Sequence, residues 1–323
     1  MRKGGLTEPR RLLGPVARSL LVLWWVSVLV FLALRLTPGN PALLLLGPEA
    51  RRPGVAQQLA LLERQMGLDR PLPVQYWYWL RPILEGNLGR SDLNGRPVIS
   101  LIASSAPPTL WLIALSVLVA VPLSVALGVI AAKYRSGPID RGVRSFSTLG
   151  LATPAFWLGL LLVILFSVKF HLLPATGYVS PAQSVSGFIT HMLLPVAALT
   201  FYLVGVLTRY VYTEVSEALT TDYVRTARAM GLSERRVVLY NATRNALIPL
   251  VSVIAASLGP LVGGAVILEQ VFGLGGLGEL LLNSVLDQDY AVVQGIVLLL
   301  TIGIIVVQAS AEVTYRRLDP RIR

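Results

Sequence analysis

The chain has 323 residues, 54% of them hydrophobic and only 14% charged, with a mean hydropathy of +0.67. Soluble domains carry about 25% charged residues, so this composition excludes an ordinary soluble fold and points to an all-α membrane protein. The absence of cysteine excludes disulfides and thiolate chemistry. The net charge of +11 is spread over the ends of apolar stretches, which fits anionic membrane lipid and not nucleic acid.

A helix crossing the hydrocarbon needs about 20 largely apolar residues, and the gaps between charges place six transmembrane helices. The first, about 16–36, fills the gap between Arg18 and Arg35, where Arg35 can snorkel to the interface. Arg10 and Arg11 ahead of it resemble the start of a secretory leader, but Leu36-Thr-Pro-Gly-Asn-Pro41 follows where a small-x-small cleavage site would stand, so it reads as an uncleaved anchor. Next comes an extracytoplasmic segment, about 38–105. Within it Leu59, Leu62 and Met66 lie at helical spacing, with Gly67 just beyond. The run Tyr76-Trp77-Tyr78-Trp79 suits a membrane interface, with a sugar- or peptide-stacking platform as the alternative. The remaining helices are expected near 109–132, 145–168, 190–211, 246–268 and 290–312, in a part of the chain running from 106 to 323.

Nineteen of the twenty-eight basic residues fall in the N-terminal tail, the 133–144 turn, the 209–244 segment and the C-terminal tail, while residues 269–290 hold four acids and no base. The bias of Lys and Arg toward cytoplasmic loops then gives an N-in, C-in orientation. The cytoplasmic segment 213–245 is too polar to cross the membrane and too regular to be a slack linker. Thr221 or Asp222 can cap a helix running to Met230, Gly231 is placed to end it, and Ser233 with Glu234 starts another.

Enzymatic and ion-coupling chemistry has no foothold. No P-loop is present; Gly273-Leu-Gly-Gly-Leu-Gly278 lacks the Lys-Ser/Thr end and reads as a flexible outer turn. His171 and His191 have no nearby carboxylate, so neither a metal nor another cofactor is expected. No Asp or Glu lies centrally in any predicted span, with Glu269 at the outer end of the fifth and Glu312 at the inner end of the last. A proton-coupled carrier needs such groups, so energy must come from another polypeptide.

The run from Asp222 to Arg236, Asp-Tyr-Val-Arg-Thr-Ala-Arg-Ala-Met-Gly-Leu-Ser-Glu-Arg-Arg, followed by Arg244-Asn-Ala-Leu-Ile-Pro249, resembles the cytoplasmic "EAA" loop of ABC importer permeases, closest to the dipeptide/oligopeptide/nickel group. Leu36 to Pro41, Met66 to Tyr76, Gly86 to Ser91, Pro154 to Gly159, Gly263 to Val266 with Glu269 and Val271-Phe272, and the tail Leu318 to Arg323 extend the resemblance over nearly the whole chain. Arg225 stands at the motif's glutamate position and Thr226 at its first alanine; Ala227 and Gly231 match, and the usual proline is displaced to Pro249.

The resemblance implies a type I ABC importer permease fold in the inner membrane of a prokaryote. It further implies a homologous second permease, two cytoplasmic ATP-binding subunits and an extracytoplasmic substrate-binding protein as partners. Short peptides, glutathione, nickel chelates or oligosaccharides are the cargo classes it implies. The loop residues expected to couple to the ATPase are Asp222, Arg225, Thr226, Ala227, Arg228, Gly231, Ser233 and Glu234. Ala227 would permit close approach, and the arginines, with Arg235 and Arg236, could pair with acidic positions on a partner. The competing readings are an ion-gradient-driven secondary transporter and a membrane scaffold without a transport path.

Overall fold

The structure, a computed structural model, describes residues 10–36, 46, 55–65 and 67–318. All named secondary-structure elements among them are helical. They are α1 (Arg10–Leu36), α2 (Val55–Gln65), α3 (Leu72–Leu84), α4 (Val98–Lys133), α5 (Pro138–Ala152) and α6 (Ala155–Leu162, continued by a π-helical turn Val163–Lys169). After α7 (Val185–Ala218) and α8 (Asp222–Ala229) comes α9, which joins Glu234–Arg236, a π-helical Val237–Thr243 and Arg244–Ala246. The chain closes with α10 (Leu250–Phe272), α11 (Leu277–Leu286) and α12 (Tyr290–Leu318).

Five of the described helices are long and apolar enough to cross a membrane, namely α1, α4, α7, α10 and α12. A sixth crossing results if α5 and the α6 stretch form one span, but the two are bent by 98°. The helix expected near 145–168 is therefore broken, and Pro154 explains where. A proline disfavours helical backbone at the preceding residue, and Thr153 is extended (φ −91°, ψ 117°).

The chain divides into two compact units, Met1–Ser104 with Leu281–Ile305, and Ser105–Leu280 with Val306–Arg323. In the first unit, α3 packs along α1. Tyr76 and Trp79 stack on Phe31 with ring centroids 5.4 and 5.7 Å apart, and the Tyr76 hydroxyl lies 2.8 Å from that of Ser27. Ser27 falls in the middle of the apolar stretch Ala17–Leu36. Half of the aromatic run expected at an interface is thus consumed by packing on the first span, where the Tyr76 hydroxyl joins the buried Ser27 hydroxyl, which itself donates to the Trp24 carbonyl at 2.7 Å. Trp77 and Tyr78 remain exposed.

At the start of α12, Asp289 accepts hydrogen bonds from the Ser91 hydroxyl at 2.5 Å and from the backbone amides of Asp92 and Val292. It therefore caps that helix while holding the turn 86–97. Burial and the neighbouring Asp289 push the Asp92 carboxyl above its ordinary range, opposed by Arg35 and the Ala291 amide.

The core of the second unit forms around α7, whose buried face includes Met192, Leu199, Leu203, Leu207 and Val211. Glycines let its neighbours approach: a Cβ on Gly150 of α5 would stand 2.7 Å from the Phe201 carbonyl, and one on Gly128 of α4 2.7 Å from Val211. Across the first of these contacts the Ser147 hydroxyl donates to the Gly205 carbonyl at 2.6 Å.

Candidate coupling interface and a buried carboxylate

Residues 213–218 continue α7, and beyond them α8 and α9 are joined through Gly231. Thr221 occupies the cap position of α8, yet its hydroxyl donates backward to the Ala218 carbonyl at 2.6 Å and makes no cap bond. At the other end Gly231 adopts φ +79°. The Gly231 amide bonds the Arg228 carbonyl (2.9 Å) and the Leu232 amide the Ala227 carbonyl (3.3 Å), the pair of bonds that closes a glycine-terminated helix. Leu232 packs back on a small core of Val224, Ala227, Val237 and Ala242.

That core corrects the expectation for Ala227. It is only 2% exposed, and its small side chain permits the approach of α8 to α9 within the loop itself. Arg228 is likewise engaged inside the chain: its Nη2 and Nε meet the two carboxylate oxygens of Glu234 at 2.8 and 3.2 Å, strapping the loop across Gly231. The bond to Arg228 holds the Glu234 carboxyl below its ordinary range, and Glu234 in turn raises the Arg228 guanidinium. Ser233 stands at the cap position of α9 without a side-chain cap bond. Asp222, Arg225 and Thr226 are exposed; Arg225 reaches Asp222 at 3.4 Å and the Thr226 hydroxyl donates to the Asp222 carbonyl. Alongside them stand Tyr223 and Met230, 41% and 71% exposed. Neither stands out among the charges around it. Their spacing of seven on a helix, which puts them on one face, is the signal that finds them.

The glycine-rich stretch after α10 departs from the flexible turn expected of it. Gly273 closes α10 in the left-handed region (φ +55°), and Leu274 is buried. The chain then wraps the carboxylate of Glu269, which is fully buried. Glu269 accepts the Thr109 hydroxyl at 2.5 Å, the Gly278 amide at 2.6 Å and the Glu279 amide at 3.2 Å. A Cβ at Gly276 would overlap that carboxylate. A glycine loop before a helix start does bind an anion here, as such loops do, and the anion is the chain's own.

The described residues combine apolar helices long enough to cross a membrane with a glycine-capped loop. Residues 124–323 match the family model described as "Binding-protein-dependent transport system inner membrane component", and residues 10–112 match that of its N-terminal region. The chain belongs to this family. The permease is 41% identical over 314 residues to the glutathione transport system permease protein of Salmonella typhi, covering 97% of each chain. It is 38% identical over 308 residues to a protein of Brucella abortus named for a peptide transport system, covering 95% of this chain and 97% of that one.

A solved structure of the MetNI methionine ABC transporter in an inward-facing conformation matches with a TM-score of 0.58 at 19% identity. That match covers 68% of the permease and 97% of the transporter chain, and shows the shared fold. The permease is a multi-pass inner-membrane component of an ABC importer and not itself an enzyme. Family membership decides against the ion-driven secondary transporter and implies ATPase and binding-protein partners.

Proposed function

We propose that this permease translocates short peptides, glutathione-like tripeptides among them, delivered by an extracytoplasmic binding protein. The names of the relatives support this cargo class. It works beside a homologous second permease over two cytoplasmic ATP-binding subunits, with both its termini on the cytoplasmic side and the segment 38–105 facing outward. The loop 213–245 is the coupling element. Support comes from its division of labour: Val224 and Ala227 are buried and Arg228 is tied to Glu234, which leaves Tyr223, Arg225, Thr226 and Met230 as the exposed face that enters a groove on an ATP-binding subunit.

The experiment is disulfide trapping in the assembled importer, with Met230→Cys against cysteines along the ATP-binding subunit's groove and Gln58→Cys as a topology control. Met230→Cys should cross-link to the ATP-binding subunit, and Gln58→Cys should react from outside with a membrane-impermeant thiol reagent. A Met230→Cys that never cross-links while transport remains intact overturns the coupling role. Labelling of Gln58→Cys only after lysis overturns the orientation.

A further inference from the structure

Where α5 and α7 meet, a polar cavity of about 400 Å³ is lined by Val143, Arg144, Thr148, Thr208, Arg209 and Tyr212, among others. Its charge is positive and only partly compensated. Arg144 Nε lies 2.9 Å from Oδ1 of Asp140, at ion-pair distance but outside hydrogen-bonding geometry, and the Asp140 carboxylate is otherwise occupied by the Ser136 amide at 2.8 Å. Arg144 also stacks over the Tyr212 ring at 5.9 Å. Arg209 has no acidic partner among the described residues. Thr208, which also lines the cavity, is 1% exposed, and its hydroxyl is sealed from solvent.

Arg209 stands where the uncharged run 170–208 of the sequence ends, the level at which phospholipid headgroups meet a spanning helix. We infer that this cavity is a specific site for the phosphate of an anionic phospholipid, bound by Arg144 and Arg209. Guanidinium forks match phosphate oxygens. Basic pockets between spanning helices are the usual form of such sites. The assignment of the site to the cytoplasmic leaflet rests on the orientation proposed above; the existence of the site does not.

The test is native mass spectrometry of the whole importer released from nanodiscs of phosphatidylglycerol mixed with phosphatidylcholine. Phosphatidylglycerol should be retained in preference, and Arg209→Gln should lower that retention roughly fivefold, the effect of removing one basic residue near an anionic surface. Arg209→Lys should keep most of it, and inorganic phosphate at millimolar concentration should compete only weakly. Equal retention of both lipids, or unchanged retention in Arg209→Gln and Arg144→Gln, overturns the proposal. So does displacement of the lipid by free phosphate alone, which would make this a soluble-anion site. Loss of a partner subunit from Arg209→Gln without any retained lipid would also overturn it, and would assign the cavity to an acidic side chain of that partner. Labelling of Gln58→Cys tests the orientation separately, so a wrong leaflet and a missing site give different results.

Discussion

Thr109 and Glu269 are 160 residues apart in sequence, and the threonine hydroxyl donates to the glutamate while its oxygen accepts the Leu277 amide at 2.8 Å. One hydroxyl thereby ties α4, the end of α10 and the start of α11 together, and the groups that hydrogen-bond the carboxylate are all donors. Glu269→Gln turns an amide NH₂ toward such donors, an arrangement expected to cost about 1–3 kcal/mol. The variant should unfold at lower temperature than wild type in detergent, and Thr109→Ser should be close to neutral. An unchanged unfolding temperature in Glu269→Gln would remove the carboxylate from the list of features that hold this loop.

The contact of α5 with α7 makes a second prediction. A Cβ at Gly205 would stand 2.9 Å from the Leu151 amide nitrogen and the Ser147 carbonyl, all of them backbone atoms that cannot swing aside. Gly205→Ala should therefore destabilise by about 1–3 kcal/mol, the usual range for overpacking. Ser147→Ala, which removes one hydrogen bond, should cost about 1 kcal/mol. Thermal unfolding of both variants checks the order.

Within the loop proposed to couple to the ATP-binding subunit, burial separates two kinds of variant. Ala227→Glu places an unpaired carboxylate in the core of Val224, Val237 and Ala242, at a cost of several kcal/mol, and should make the loop susceptible to limited proteolysis. Met230→Glu, on an exposed side chain, should leave the loop resistant and lower binding-protein-stimulated ATP hydrolysis and uptake. A protease-resistant Ala227→Glu would contradict the packing, and a fully active Met230→Glu would contradict the docking face.

Gly231 isolates a backbone effect. Nothing lies within 4 Å of a Cβ added there, so strain from the positive φ is the only penalty. Gly231→Val should lose about 1–2 kcal/mol, and Gly231→Asn much less, because asparagine tolerates this region. Uptake by the two variants, compared in the same reconstituted importer, reads the difference.

The Arg228–Glu234 strap has a definite pH dependence. Its carboxyl is depressed in the folded loop, so its contribution is present above the ordinary glutamate range and disappears as pH falls through the lowered value. Both groups are substantially exposed, which limits the effect to about 1 kcal/mol or less. Glu234→Gln should lower the unfolding midpoint slightly at pH 7, and the gap from wild type should close in acid.

How legible this was in the sequence depended on the range of the interaction concerned. Spans are visible as gaps between charges, and the α8 stop at Gly231 is visible because a glycine after a helical run has few other uses. Pro154 marks the break in the third span, although a charge count alone reads through it. The site at Glu269 was not legible: an acid at a helix end looks solvent-facing until Thr109 arrives from another helix. Ala227 was misplaced for a related reason, since a small residue looks the same whether a partner or the chain's own next helix comes close. The aromatic run at Tyr76 posed the same ambiguity between lipid headgroups and Phe31.

The length of α7 has a mechanical consequence. Its 34 residues extend about 51 Å, well beyond the roughly 30 Å of hydrocarbon, and only three residues separate its end at Ala218 from the start of α8 at Asp222. With Ala218 and Leu219 packed on the Val224 and Ala227 core, the α8–α9 loop is seated on the end of a long rod, with no slack linker between. Tilting that rod by roughly 10° about its far end would carry the loop about 9 Å sideways, so under the proposed coupling role a shift of that size at the loop would be transmitted along the whole length of the lever.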